Sequence, residues 1–300
     1  MSLTAEQIKW AYEVMVGRTP DEAEVSQSQR EDRELADLRE RLYGTLEFHK
    51  LFKTLDYHER WVLAPIFKGE RKIWINLSDK FVSYGCLIDA YEPAETALVL
   101  SLLTEESHFL DIGANVGWFT LAASTIIKTG TIVAFEPNPK IFARLRASVE
   151  VNGLSATVKA LPIAVGEGAG TLGMSTAIDS RNPGSGFIAP DNEQQTAVQA
   201  GTIDELIGGG QCDVVKIDVE GYELKVLRGA VQTFSRCRPH IVMEYSPEML
   251  NRYGDSADDL ERLLAQIGAT AFVLSPDGTC TRPETLTGVV GLNTLLIAPN

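Results

Sequence analysis

The chain has 300 residues, 44% hydrophobic and 23% charged, which is enough apolar mass for a main domain with a small appendage. Its 41 acidic residues outnumber 27 basic ones, for a formal charge of -14, which argues against nucleic acid or an anionic membrane as a general partner and leaves small molecules and neutral polymers. The first residues, "MSLTAEQIKWAYEVM", lack a basic segment followed by an apolar run, and no later run approaches the roughly 18 apolar residues of a membrane span. A soluble, cytoplasmic protein without membrane insertion is expected. Cys86, Cys212, Cys237 and Cys280 lie far apart with no C-x-x-C, so neither a disulfide framework nor a zinc site is indicated.

Residues 5 to 55 read as helices: Ile8, Ala11, Tyr12, Met15 and Val16 keep helical spacing, as do Leu35, Leu38 and Leu42. "GRTPDE" interrupts them, with Thr19 placed to cap a helix and Pro20 at its first position. The expected division is a helical accessory bundle over 1–58 and a second domain over 59–300, with 59–90 as a hairpin linker region. The hairpin is read from "RKIWINLSDKFVSYG", which alternates around a polar "LSDK" turn.

From about residue 90, strands alternate with helices, the signature of a doubly wound α/β sheet, parallel for the most part. The expected strands are "HFLDI", "TIVAFE", "TVKALPIAV", "CDVVKID", "HIVMEY", "TAFVLS" and "LNTLLIA". Between the third and fourth, "STAIDSRNPGSGFIAPDNEQQT" reads as a long surface excursion, a place where function often resides.

Ligands of such sheets sit at the carboxyl ends of the strands. Asp111, Glu136, Asp218 and Glu244 fall at or just beyond those ends. Gly113 and Gly117 flank the turn after the first strand, where missing side chains let backbone amides approach a ligand. The spacing G-x-x-x-G is neither the G-x-G-x-x-G of a dinucleotide site nor a phosphate P-loop, and an acid beside the loop repels pyrophosphate while attracting a sulfonium or an amine. These features favour S-adenosylmethionine over a nicotinamide cofactor. Glu136, 23 positions after Gly113, suits a ribose-binding acid in either class of enzyme.

"FLDIGANVGWFT", "VAFEPNP", "LPIAVGEGAGTLGM", "TIDEL", "VVKIDVEGYELKVLRGA" and "IVMEY", in this order, resemble the FkbM family of S-adenosylmethionine-dependent methyltransferases over roughly residues 90 to 250. The resemblance implies a Rossmann-like sheet of seven strands with the last antiparallel, and methyl transfer to an oxygen of a sugar, glycan or small secondary metabolite. The N-terminal "AYEVMVGRTPDEAEV" and "GTLEFHKLF" separately resemble a small helical module found beside glycan-modifying enzymes, which leaves that bundle open as a surface for a protein partner.

Carried over, the resemblance assigns the loop of Asp111, Gly113, Ala114, Asn115 and Gly117 to the methionine part of the cofactor. Glu136, with Pro137 and Asn138, goes to the ribose, and Ala164 and Val165 to the adenine. Asp218 and Glu220 are the candidate catalytic acids, because methyl transfer must hold an oxygen in line with the methyl and remove its proton. A helix cap is the alternative for Glu220, since an acid before "GYELKVL" also suits a helix start. Lys216 is a cation inside a strand expected to be buried, with Glu244 its expected partner, either as a structural pair or as a cluster with Asp218 that orients the acceptor. Asp218, Glu220 and Glu244 also offer hard ligands for Mg²⁺, which the family motif does not require. Glu92 in "DAYEPAET", and Asn182 and Ser185 in the excursion, are candidate substrate contacts. The rival readings are a nitrogen- or carboxyl-directed methyltransferase and a non-catalytic scaffold that keeps the cofactor fold.

Overall fold

The computed structural model describes residues 3–43, 45, 47–48, 51, 61–176, 186–188 and 196–300. The chain divides into two compact units, residues 1–60 and 61–300. In the first, α1 (Ala5–Val16), α2 (Glu22–Glu31) and α3 (Leu35–Tyr43) bury Ile8, Tyr12, Val16, Leu38 and Leu42. The cap of α2 is Asp21 and not Thr19. The Asp21 side chain accepts from Glu24 N at 2.8 Å while the Glu24 carboxylate accepts from Asp21 N at 2.9 Å, a reciprocal box that moves the helix start past Pro20. Buried Asp32 pairs with Arg41 at 2.8 Å.

The second unit opens with a hairpin, but one turn earlier than the alternation suggests. Strands β1 (Trp61–Ile66) and β2 (Arg71–Asn76) pair antiparallel, and the reversal lies at 67–70, where Asp89 accepts from the amides of Phe67 and Lys68. "LSDK" instead leads into α4 (Val82–Leu87), because the Asp79 carboxylate accepts from Phe81 N and Ser83 N at 2.8 and 3.0 Å.

The chain then runs through α5 (Pro93–Leu102), β3 (His108–Ile112), α6 (Trp118–Ile126), β4 (Thr131–Phe135), α7 (Pro139–Val151), β5 (Val158–Leu161) and β6 (Ile163–Val165). Next come β7 (Gly170–Thr176), β8 (Gly186–Ile188), β9 (Thr196–Gly201), α8 (Ile203–Ile207), β10 (Val214–Ile217), α9 (Glu223–Arg228) and α10 (Val231–Cys237). The last elements are β11 (His240–Tyr245), α11 (Pro247–Arg252), α12 (Ala257–Ile267), β12 (Ala269–Leu274), β13 (Cys280–Thr281) and β14 (Asn293–Pro299).

The main sheet has the order β13-β12-β14-β11-β10-β3-β4-β5, with β14 antiparallel to both neighbours and β3, β4, β5, β10 and β11 mutually parallel. The seven expected strands gain an eighth, because two residues after the 275–279 turn pair back on β12. The single third strand of the sequence reading is two strands: Pro162 lacks an amide for the ladder, and beyond it β6 leaves for a second sheet of order β6-β9-β7-β8. Part of the glycine-rich excursion is thus β-structure.

The core on one face of the main sheet joins Leu110, Ile112, Val215, Ile217 and Met243 to Leu224, Phe234, Leu260 and Leu264. Side chains of a strand alternate, and Lys216 is in register with Asp111 and Val242, so Asp111, Lys216 and Glu244 leave the sheet from the opposite face. Strand order reverses between β3 and β10, and these groups gather at that switch point. Among the described residues no helix is long and apolar enough to cross a membrane.

Candidate active site

A cleft of about 1170 Å³, open solvent at its mouth included, lies over the carboxyl ends of β3, β4 and β10. Asp111, the penultimate residue of β3, is buried and accepts from Thr120 Oγ1 on α6 at 2.5 Å. Loss of hydration pushes its carboxyl up to about 6, against the pull of the Thr120 bond and of Lys216.

The glycine loop works differently from the expectation. The amides of Gly113 and Ala114 both donate to Phe135 O, at 3.0 and 2.9 Å, so they are tied to β4 and do not face the cleft. What Gly113 admits is another piece of backbone: at φ +84°, a Cβ there would lie 1.8 Å from the carbonyl oxygen of Asp218. Gly113 itself lines the cleft, whereas Gly117 does not and packs against Leu145 of α7. Ala114 and Asn115 do line it.

Glu136 stands just beyond β4, 6% exposed, with Oε2 accepting from Asn115 N at 2.9 Å and Oε1 from Asn138 N at 2.8 Å. Burial pushes this carboxyl up to about 7 despite the two amides. A carboxylate offers about four acceptor positions, so two remain for hydroxyl donors. Asn138 serves Glu136 with its amide and caps α7 with its side chain, outside the cleft lining. Pro137 lines the cleft, and Ile163, Ala164 and Val165 form an apolar wall.

Three carboxylates, those of Asp218, Glu92 and Glu244, act on Lys216. Its Nζ is 3.3 Å from Asp218 Oδ2 and 3.7 Å from Glu92 Oε2, and 5.0 Å from the ring centre of Phe119. The expected partner, Glu244, is not within ion-pair distance. It acts on Lys216 through space, and burial with Asp218 nearby drives its own carboxyl up to about 9. Glu220 lies in the cleft on left-handed backbone at φ +56°, its carboxyl raised by burial and then by Asp218. It is not the helix cap: α9 begins at Glu223, and Glu223 Oε1 is the acceptor that gathers the loop amides, from Val219 N at 3.2 Å and Gly221 N at 3.0 Å. Glu92 is also left-handed, at φ +41°, and its Oε2 is buried without a hydrogen-bond donor. Such strained positions concentrate at functional sites. Burial likewise raises the Glu92 carboxyl, against the pull of Lys216.

Tyr91, Phe119, Met174, Ile188 and Tyr222 also line the cleft, and the sequence assigned no contact to Phe119, Met174, Ile188 or Tyr222. The only sequence signal is their position beside the motifs. Phe81, 55% exposed, stands in the lining. A second cleft, of about 1020 Å³, shares Glu92, Lys216 and Glu244 with the first and adds Glu95, Ser275, Asn293 and Thr294. Asn182 and Ser185 lie outside the described residues. Among those described, no group of three or more His, Cys, Asp or Glu side chains is arranged to hold a metal ion.

These residues fit S-adenosylmethionine. Several buried acids with raised pKa values face one cleft holding one cation, and a buried Glu92 oxygen there lacks a donor. Such a site gains from a ligand that brings positive charge and hydroxyl donors and carries no phosphate.

Comparison with known proteins points the same way. A family model described as the methyltransferase FkbM domain matches residues 111–270. Methyltransferase sdnD of Sordaria araneosa is 26% identical over 176 residues, covering 47% of this chain and 67% of that protein. The hexuronic acid methyltransferase AglP of Haloferax volcanii is 31% identical over 138 residues, covering 44% of this chain and 54% of that protein, so the match spans about half of its length. The crystal structure of a methyltransferase FkbM from Methylobacillus flagellatus KT shares 15% identity with a TM-score of 0.44, covering 95% of this chain and 58% of that one. With more than half of its length matched, including most of the residues that line the cleft, this chain belongs to the FkbM methyltransferase family.

Proposed function

We propose that the protein is an O-methyltransferase that uses S-adenosylmethionine to methylate a hydroxyl of a glycan or small metabolite. The observation that carries this reading is the convergence of Glu136, Asp111, Lys216 and Asp218 on one cleft at the switch point of the sheet. When bound, S-adenosylmethionine supplies an electrophilic methyl group on sulfur, and S-adenosylhomocysteine is the product. The free acceptor positions of Glu136 take the two ribose hydroxyls, and Ile163, Ala164 and Val165 flank the base. Asp111 and Asn115, with Ala114, border the methionine end, where carboxylates favour the cationic groups.

The acceptor hydroxyl must lose its proton as its oxygen forms the new bond, and Asp218 receives it. Lys216 fixes the Asp218 carboxylate by its 3.3 Å contact and is itself buried. Glu220 and Glu244, whose carboxyls are raised by burial, line the same cleft around Asp218. Glu92 borders both clefts and faces the acceptor. The net charge of -14 and the hexuronic acid methyltransferase activity for which the Haloferax relative is named support a sugar-type or neutral acceptor over nucleic acid.

The test is incubation with methyl-labelled S-adenosylmethionine and a panel of hydroxylated glycosides and polyketides, with the methyl located by NMR. Asp218→Asn should abolish turnover and retain S-adenosylhomocysteine affinity. A labelled methyl on nitrogen or on a carboxylate would refute the oxygen assignment.

A further inference from the structure

The segment from Asp218 to Glu223 carries a residue that the transfer chemistry does not itself use. Asp218 N extends the parallel ladder by donating to Ile112 O at 3.0 Å, and its carbonyl oxygen fills the space beside Gly113. The next residues leave the sheet abruptly. Glu220 has φ +56° and Gly221 φ +99°, and a Cβ at Gly221 would stand 2.7 Å from Met249 O, so the chain is squeezed between β3 and α11. Two consecutive left-handed residues, one with a full side chain, persist only where their surroundings over-determine them.

The surroundings that do so converge on one atom. Glu223 is 2% exposed, and its Oε1 accepts from both Val219 N and Gly221 N, the amides on either side of Glu220. Tyr222, the residue before α9, supplies no side-chain cap.

We propose that Glu223 is a positioning residue that sets the stance of Asp218 and Glu220 over the cleft and, through the Asp218 carbonyl against Gly113, holds the cofactor loop in shape. This rests on the function proposed above for those two loops. The chain of contact is short: Glu223 holds the amides of Val219 and Gly221, these fix the 218–221 backbone, and that backbone is the wall against which Gly113 packs. The requirement is an acceptor oxygen at that spot. A side chain that keeps the oxygen in place should suffice, and one that withdraws or deletes it should loosen both loops.

The experiment compares the full chain with Glu223→Gln, Glu223→Asp and Glu223→Leu, reading amide hydrogen exchange at Val219 and Gly221 by NMR and S-adenosylhomocysteine affinity by calorimetry. Ile73→Ala, buried in the β1–β2 hairpin and outside the core that the helix of Glu223 joins, serves as a control with a comparable loss of global stability. Glu223→Leu and Glu223→Asp should speed exchange at those two amides and weaken S-adenosylhomocysteine by about tenfold each beyond the control, since a lost buried acceptor exposes the amides it served. Glu223→Gln should stay within about twofold of the parent in both. Should Glu223→Leu fail to fold, the Asp variant still decides the matter. Exchange and affinity at the control's level in Glu223→Asp, or in a folded Glu223→Leu, would overturn the proposal. A parent that fails to bind S-adenosylhomocysteine would instead defeat the cofactor reading, and the exchange of the two amides would still test whether Glu223 holds the loop.

Discussion

Gly113→Ala is the substitution whose effect follows most directly from the geometry. The added methyl would lie 1.8 Å from Asp218 O, 2.9 Å from Asp218 C and 3.3 Å from Val219 Cγ1. An ordinary contact requires withdrawal by roughly 1.5 Å. The obstruction is backbone, anchored by Asp218 N to Ile112 O at 3.0 Å, so it cannot rotate away as a side chain would. Left-handed alanine at φ +84° adds its own strain. Together these cost about 3 kcal/mol, from about 1 to 2 for the backbone region and the rest for overpacking. For a unit of this size that lowers the melting temperature by about 6 to 12 °C. Because the displaced carbonyl belongs to the residue proposed as the base, methyl transfer should fall at least about a hundredfold, and because Gly113 itself lines the cleft, S-adenosylhomocysteine affinity should fall with it. Gly153→Ala is the matched control: its φ is +67°, nothing lies within 4 Å of its would-be Cβ, and it should lose only about 1 kcal/mol with cofactor affinity intact. Differential scanning calorimetry and calorimetric titration of both variants check this. If Gly113→Ala melts like Gly153→Ala and binds S-adenosylhomocysteine like the parent, the close approach of the two loops does not constrain the site.

Further outcomes follow from the buried charges. The Asp111, Glu136 and Glu223 carboxyls are raised to about 6, 7 and 7 in the folded protein, so each favours folding fully below its unfolded value near 4 and loses that contribution as pH rises through 6 to 7. The ligand-free protein should therefore melt lower at pH 8 than at pH 5, with Glu136 alone accounting for about 2 to 3 kcal/mol. S-adenosylhomocysteine affinity should move the other way and fall as pH drops through about 7, because the ionised Glu136 is the better acceptor; titrations at pH 6 and 8 test this. Lys216→Met strips Asp218 and Glu92 of their cation and should cost about 3 to 5 kcal/mol, with a deficit in melting temperature larger at pH 8 than at pH 5 as the Glu92 carboxyl, raised by burial, ionises without its cation. Thr120→Val removes the hydroxyl that donates to buried Asp111 and should cost about 1 to 3 kcal/mol by chemical denaturation.

Much of this site could be read from the sequence because strand ends are marked by composition. An acid closing an apolar run, as in "HFLDI" and "VVKID", has few places to go in a doubly wound sheet, and Asp111, Glu136, Asp218 and Glu244 all reached the carboxyl ends. Pairing register was the missing ingredient. It puts Lys216 beside Asp111 on one face, and the direct partners of Lys216 are the proximal Asp218 and Glu92 from the segment before α5, a contact 124 positions away that no local pattern encodes. The hairpin failed for a local reason. Alternation continues through "FVSYG", but Asp79 supplies a cap that alternation does not register, and the helix takes that segment. The glycine loop has a second reason that the sequence does not display: the neighbour Gly113 accommodates is the carbonyl of Asp218, 105 positions later. Glu223 went unnoticed because a glutamate at a helix start reads as a favourable charge, and only coordinates reveal that one oxygen holds two loop amides.

The most direct test of the central claim is calorimetric titration of the purified protein with S-adenosylhomocysteine, alongside Glu136→Ala and Asp111→Ala. The account predicts a dissociation constant of roughly micromolar order for the parent and its loss in both variants while they remain folded. A folded parent that shows no heat of binding, or variants that bind as tightly as the parent, would contradict the assignment of this cleft to the cofactor.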